Sequence, residues 1–207
     1  MLTPKHVTAL NDLPDNHKPD IIALTETLIR SSTTPANLID STSLGYSLFS
    51  APRSYIGNPS NLILAGGTAF LINEPFIHNS ASHYYSSFEY SSITLKYLIV
   101  QLTLFNVHRP PLPSPYSQPL STFLNQFSSF LSHAATTLQE FIIAGDLNIH
   151  VDDLTDTQII QFFTSLPVVT SLRMLKFLLT DMVKPSEALD FIITLANTTL
   201  NHIITSS

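Results

Sequence analysis

Asp146 and Asn148 close an apolar run, Phe141 to His150, that reads F-I-I-A-G-D-L-N-I-H. Four apolar residues entering Gly145 describe a buried strand that ends in a tight turn, with a carboxylate and an amide side by side. At the carboxyl end of a strand in an α/β sheet, where ligands bind, Asp146 is a candidate to take a proton from water. Asn148 is a candidate hydrogen-bond donor to an oxyanion or phosphate. An ordinary turn accounts for the same two residues, since Asp and Asn favour turns by themselves. The device recurs at D-I-I-A-L-T-E-T, where the strand Asp20–Leu24 delivers Glu26 among threonines. There the choice lies between a ligand for a hard metal and a solvated loop acid. It recurs again at N-V-H-R-P-P, where His108 and Arg109 leave a strand as candidate phosphate contacts or as a plain loop entry. Asp152, Asp153 and Asp156 lack EF-hand spacing and its glycine, and read as a solvated helix entry.

Several elements must position these groups. Val7, Leu10 and Leu13 give Pro4–Leu13 one apolar helical face. Strands are predicted at Gly45–Ser50, Leu62–Leu64 and Thr68–Ile72, with Gly66-Gly67 as a turn or bulge rather than a phosphate cradle. His78 and His83 fall in a Ser/Tyr-rich loop and read as surface histidines. Glu89–Leu95 and Leu98–Val107 form a hairpin around Lys96-Tyr97. In Ser117–Ala135, Leu120, Phe123, Leu124, Phe127, Phe130, Leu131 and Ala134 follow helical spacing, with Ser117 as N-cap and Pro119 in the first turn. A short helix follows over Thr157–Leu166. Residues 167–187 show no pattern, and Leu189–Thr194 and Leu200–Thr205 return to strand character.

The 207 residues suit one domain with a real core. Charged residues are 12% of the chain, against about 25% in an average globular protein, which leaves a weakly charged surface. The net charge of −6 and nine scattered Lys and Arg argue against the basic patch of a tight nucleic-acid binder. With no cysteine there is no disulfide partner and no thiolate metal site. No apolar run is long enough to span a bilayer and the start lacks signal-peptide character, so an intracellular location, nuclear or cytoplasmic, with no membrane partner, is expected.

Five pieces in order, D-I-I-A-L-T-E-T, G-G-T-A-F-L-I, N-V-H-R-P-P, I-I-A-G-D-L-N-I-H and L-D-F-I-I-T, resemble the endonuclease domain of LINE-type (non-LTR) retrotransposons. That domain is a member of the endonuclease/exonuclease/phosphatase superfamily, with a fold like AP endonucleases and pancreatic deoxyribonuclease. The resemblance runs over about 19–166 and 188–205, in a single domain 1–207 whose stretch 167–187 diverges. It implies an α/β sandwich of two mixed β-sheets flanked by helices, and metal-dependent nicking of DNA. By resemblance Glu26 binds the divalent metal, magnesium or alternatively manganese. Asp146 handles the nucleophilic water, Asn148 contacts the scissile phosphate, and Asp190 orients a catalytic histidine. Magnesium suits such a site because it keeps waters and needs only one or two carboxylates.

The departures from the pattern are equally specific. The family's first strand, with its asparagine, and its terminal Ser-Asp-His segment have no counterpart here, so the first and last strands of the fold are expected to be missing. His108 stands where the family has tyrosine, and His202 lies in a setting that does not match. The resulting expectation is a truncated element with open sheet edges, low stability and impaired turnover. Its alternatives are a catalytically dead or binding-only remnant and, less favoured by the motifs, a phosphatase of the same superfamily. The oligomeric state is not legible.

Overall fold

The computed structural model describes residues 19–27, 29, 45–52, 66–73, 78–97, 100–111, 117–137, 140–149, 157, 160, 173–176, 190–194 and 203–206. They build two mixed sheets and a long helix. One sheet has the order β10-β1-β3-β2, from β1 (Ile21–Leu24), β2 (Tyr46–Ala51), β3 (Thr68–Asn73) and β10 (Ile203–Ser206). β10 runs parallel to β1, and the other neighbours are antiparallel. The second sheet has the order β4-β5-β6-β7-β9-β8. It comprises β4 (His78–Tyr84), β5 (Glu89–Tyr97), β6 (Val100–His108), β7 (Glu140–Asp146), β8 (Arg173–Lys176) and β9 (Asp190–Thr194). Only β6 and β7 pair in parallel there. The helix α1 (Leu120–Thr137) connects that parallel pair, as a crossover must. The mixed α/β sandwich is therefore the architecture found.

Period-two alternation sorts the side chains of the second sheet into two layers. One face, with Phe105, Val107, Phe141 and Ile143, meets Phe123, Phe127, Phe130, Leu131 and Ala134 of α1. Phe88 packs edge-on against Phe123, Phe127 and Phe130. Burying each such ring is worth roughly 1.5–3 kcal/mol, so the phenylalanine stripe holds α1 in place. The opposite face, with Ile93, Leu95, Leu102, Leu104, Ile142 and Ala144, meets Ile21, Ala23, Phe70 and Ile72 of the first sheet.

Several elements differ from the sequence reading. His78 and His83 stand in β4, not in a loop: its backbone pairs along β5 from His78↔Leu95 to Tyr84↔Glu89, a tertiary gain that outweighs weak local strand preference. Their side chains lie outside the described residues. The hairpin closes at Tyr97↔Val100, later than Lys96-Tyr97. The helix starts at Leu120, and the Phe123 N–H donates to the Pro119 carbonyl at 3.1 Å, so Pro119 precedes the first helical residue instead of lying in the first turn. β8 lies within the stretch that showed no pattern, and its strand state rests on pairing with β9. The expected helix Pro4–Leu13, the strand Leu62–Leu64 and the acidic loop of Asp152, Asp153 and Asp156 lie outside the described residues. Of Thr157–Leu166 only Thr157 and Ile160 are described, both helical.

Candidate active site

The layer between the two sheets changes character along its length. On β6 the inward residues run Leu102, Leu104, Asn106, His108; on β5 they run Leu95, Ile93, Ser91, Glu89, register partner for register partner. On β7 the series is Ile142, Ala144, Asp146, and on β3 it is Ile72, Phe70, Thr68. Each strand passes from apolar to polar at the same end, where β1 delivers Thr25, Glu26 and Thr27. Buried polar groups there need partners, and most find them across the gap between sheets. Thr68 and Ser91 hydroxyls lie 2.8 Å apart. The Gly67 N–H donates to Glu89 Oε1 at 2.9 Å. The Gly67 carbonyl accepts from Thr27 N–H at 3.2 Å, so the Gly66-Gly67 turn, with φ of 93° and 90°, ties the residues after β1 to the start of β3 and, through Glu89, one sheet to the other.

His108 occupies the centre of this end and is 1% exposed. Its Nδ1 lies 2.8 Å from Glu89 Oε1 and its Nε2 3.4 Å from Glu26 Oε1. Burial taken alone lowers the imidazole pKa. The contacts with Glu26 and then Glu89, and the charges of both carboxylates, outweigh it and raise the pKa to about 9. At neutral pH His108 is therefore an imidazolium with a carboxylate toward each nitrogen. A direct phosphate contact, one sequence reading of this residue, is not what a 1% exposed ring offers.

Asp146 pairs in register with His108 across the parallel β6–β7 ladder and is buried. Its Oδ1 accepts from the Asn148 N–H at 2.7 Å, an Asx-type turn of the kind expected. Asn148 holds a φ of 48°, and its Nδ2 donates to the Arg109 carbonyl at 2.6 Å. Arg109 returns the contact: its N–H donates to the Asp146 carbonyl at 2.9 Å, and Nη1 lies 3.4 Å from the carbonyls of Leu147 and Asn148. Its guanidinium sits 4.9 Å over the Phe123 ring, and burial lowers its pKa. The sequence offers Arg109 as a candidate phosphate contact or a plain loop entry. The structure instead turns it inward, bracing the loop that carries Asp146 and Asn148. Asp190 enters by its backbone, opposite Asp146 in the β7–β9 register; its side chain lies outside the described residues.

Glu26 is the accessible member, with its side chain 47% exposed. Its φ of 50° places it, like Asn148, in the left-handed region that side chains rarely adopt. Two such residues at one end of the sandwich mark a site where backbone strain is tolerated. An exposed carboxylate beside buried polar groups fits magnesium, which takes oxygen ligands and retains waters. Among the described residues no group of three or more His, Cys, Asp and Glu forms a ready-made metal cage. Sequence reasoning passed over Glu89 and Asn106, although counting back by twos along β5 and β6 puts both on the inward face.

Residues 2–162 match the Endonuclease/Exonuclease/phosphatase family. The chain belongs to that family. No curated protein matches the sequence. Among solved structures, TDP2 of D. rerio complexed with a single-strand DNA product is 13% identical, with a TM-score of 0.60 over 94% of this chain and 78% of that one. The 3′ phosphatase NExo from Neisseria, bound to a product DNA hairpin, is 14% identical, with a TM-score of 0.60 over 92% and 82%. A mannosyl-6-phosphatase of Bacteroides thetaiotaomicron is 13% identical, with a TM-score of 0.55 over 92% and 76%. At these identities the likeness is one of fold. No helix among the described residues is long and apolar enough to cross a membrane.

Proposed function

We propose that this chain is a divalent-metal-dependent phosphodiesterase that nicks DNA, of the retrotransposon target-site type. The observation that carries the reading is the meeting of Glu26, Glu89, His108, Asp146 and Asn148 at one polar end of the inter-sheet layer. Glu26 would hold the cation. When bound, such an ion offsets the charge of the phosphate and of its transition state.

The protein groups divide the remaining work. Asp146, oriented by the Asn148 N–H, accepts the proton of the attacking water. Asn148 spends one amide hydrogen on the Arg109 carbonyl, and its second donates to a phosphate oxygen. His108 supplies a fixed positive charge behind the site and orients Glu26. Asp190, aligned with Asp146 in the ladder, supports the same strand end. The motifs N-V-H-R-P-P and L-D-F-I-I-T favour target-site nicking within the family. TDP2 and NExo, both solved with DNA, support a nucleic-acid substrate despite the net charge of −6.

The deciding experiment is relaxation of supercoiled plasmid by the purified chain in magnesium, in manganese and in EDTA, with Asp146→Ala prepared identically. Metal-dependent nicking lost by at least about 10²-fold in the variant is the expected result. Equal nicking by both proteins would reject the assignment. A phosphomonoester sugar hydrolysed in place of plasmid would move the activity to the phosphatase branch.

A further inference from the structure

Asn106 has no exposed surface, and its Nδ2 donates both hydrogens across the gap between sheets. One goes to the Leu24 carbonyl at 2.7 Å and the other to the Ala69 carbonyl at 3.0 Å. Leu24 and Ala69 are register partners on β1 and β3, so one amide of β6 grips both central strands of the opposite sheet at a single level. Its Oδ1 is buried with no hydrogen-bond partner among the described residues. A half-satisfied buried amide is a costly way to fill an inter-sheet position whose neighbours on β6, Leu102 and Leu104, are plain leucines. Stability alone does not explain its presence.

The geometry points to Asn106 as a positioning residue that sets Glu26 opposite His108 by clamping the ends of β1 and β3 to β6. Glu26 lies two residues beyond Leu24, and His108 two residues beyond Asn106. The 3.4 Å contact between them is therefore the next step outward from the clamp on both strands. Glu26 sits past the last residue of β1 in a left-handed conformation. Its neighbour Thr27 is tied to the Gly67 carbonyl, on the approach to the same β3 level that Asn106 holds. Releasing the clamp frees the Glu26 tip without disturbing Asp146, which belongs to the same sheet as Asn106. The consequence for cation binding rests on the function proposed above; the clamp itself does not.

Two measurements on the Asn106→Leu protein test this: hydrogen–deuterium exchange without metal, and Mn2+ affinity by titration. The control is Thr94→Val, which removes a polar contact to Thr103 at 3.2 Å within the β5–β6 pair, away from the clamp. In Asn106→Leu, exchange over 24–27 and 67–69 should rise at least ten-fold while 93–95 and 102–104 keep wild-type rates. The Mn2+ dissociation constant should rise at least ten-fold, with both quantities unchanged in Thr94→Val. Wild-type exchange over 24–27, or a rise equal to that at 93–95 and 102–104, overturns the clamp. Faster local exchange with unaltered, Glu26-dependent Mn2+ affinity overturns its role in placing Glu26. If Glu26→Gln leaves wild-type Mn2+ affinity unchanged, the proposed function fails while the exchange data still decide the clamp. Should Asn106→Leu not fold, Asn106→Ala, which removes both donors without adding apolar bulk, is judged by the same readings.

Discussion

His108 stands between two carboxylates, Glu89 2.8 Å from Nδ1 and Glu26 3.4 Å from Nε2. The first is buried and also accepts from the Gly67 N–H; the second is half exposed. The imidazolium thus joins an internal anchor to the member of the pair that solvent reaches.

That relationship makes stability depend on pH with a definite sign. The His108 pKa of about 9 in the fold exceeds the unfolded value of about 6.5. A raised pKa means the folded state holds the proton more tightly. The stabilisation is complete below pH 6.5 and is lost as pH rises through 9. Urea midpoints in EDTA should therefore fall between pH 6.5 and 9.5, and the His108→Gln protein should show a flatter profile. An equally steep fall in the variant would place the titration elsewhere.

The left-handed backbone at Glu26 separates side-chain from main-chain effects. Glu26→Ala and Glu26→Gly both delete the carboxylate, but only glycine relieves the φ of 50°. The glycine protein should be the more stable by about 1–2 kcal/mol in denaturant unfolding, and both should lose nicking. An alanine variant at least as stable as the glycine one would show that the backbone carries no strain there.

Gly145 tolerates no side chain, for a different reason. Its φ is 132°, and an added Cβ would stand 1.9 Å from the Val107 carbonyl oxygen. Either β6 and β7 separate, or the pairing that sets Asp146 beside His108 shifts. Gly145→Ala should cost at least about 3 kcal/mol and remove activity in whatever protein still folds. A thermal midpoint equal to wild type would contradict that close approach.

Much of this arrangement was legible in the residues. The apolar runs before Glu26 and Asp146 and the helical spacing of the phenylalanines in α1 are strong signals, and the strands and helix lie where they direct. Asp146, Asn148, His108 and Glu26 come to one end because each ends or follows an inward-phased strand. The tasks of Arg109 and His108 were not legible, since residue type does not say whether a cation faces solvent or a buried carbonyl. Arg109 turns inward because Phe123 and the carbonyls of Leu147 and Asn148 receive it, partners supplied by α1 and by the turn after β7. Glu89 and Asn106 went unread because their partners, Gly67, Leu24 and Ala69, come from the other sheet and only the closed sandwich reveals them. β4 and β8 exist through their neighbours, and no local pattern announces them.

The two-sidedness of β6 sets a limit on how this chain can vary. Asn106 and His108 face the opposite sheet, and Val107 and Phe105 face α1, with alternation as the only rule that separates them. Removing one residue inside that strand would reverse the faces beyond it. Val107 would then take the place of Asn106 and Arg109 that of His108 beside Glu89 and Glu26, while the asparagine and the histidine would be driven among the phenylalanines. Insertions and deletions are compatible with this site in the connections between strands, whereas inside β6 a change of a single residue turns the site outside in.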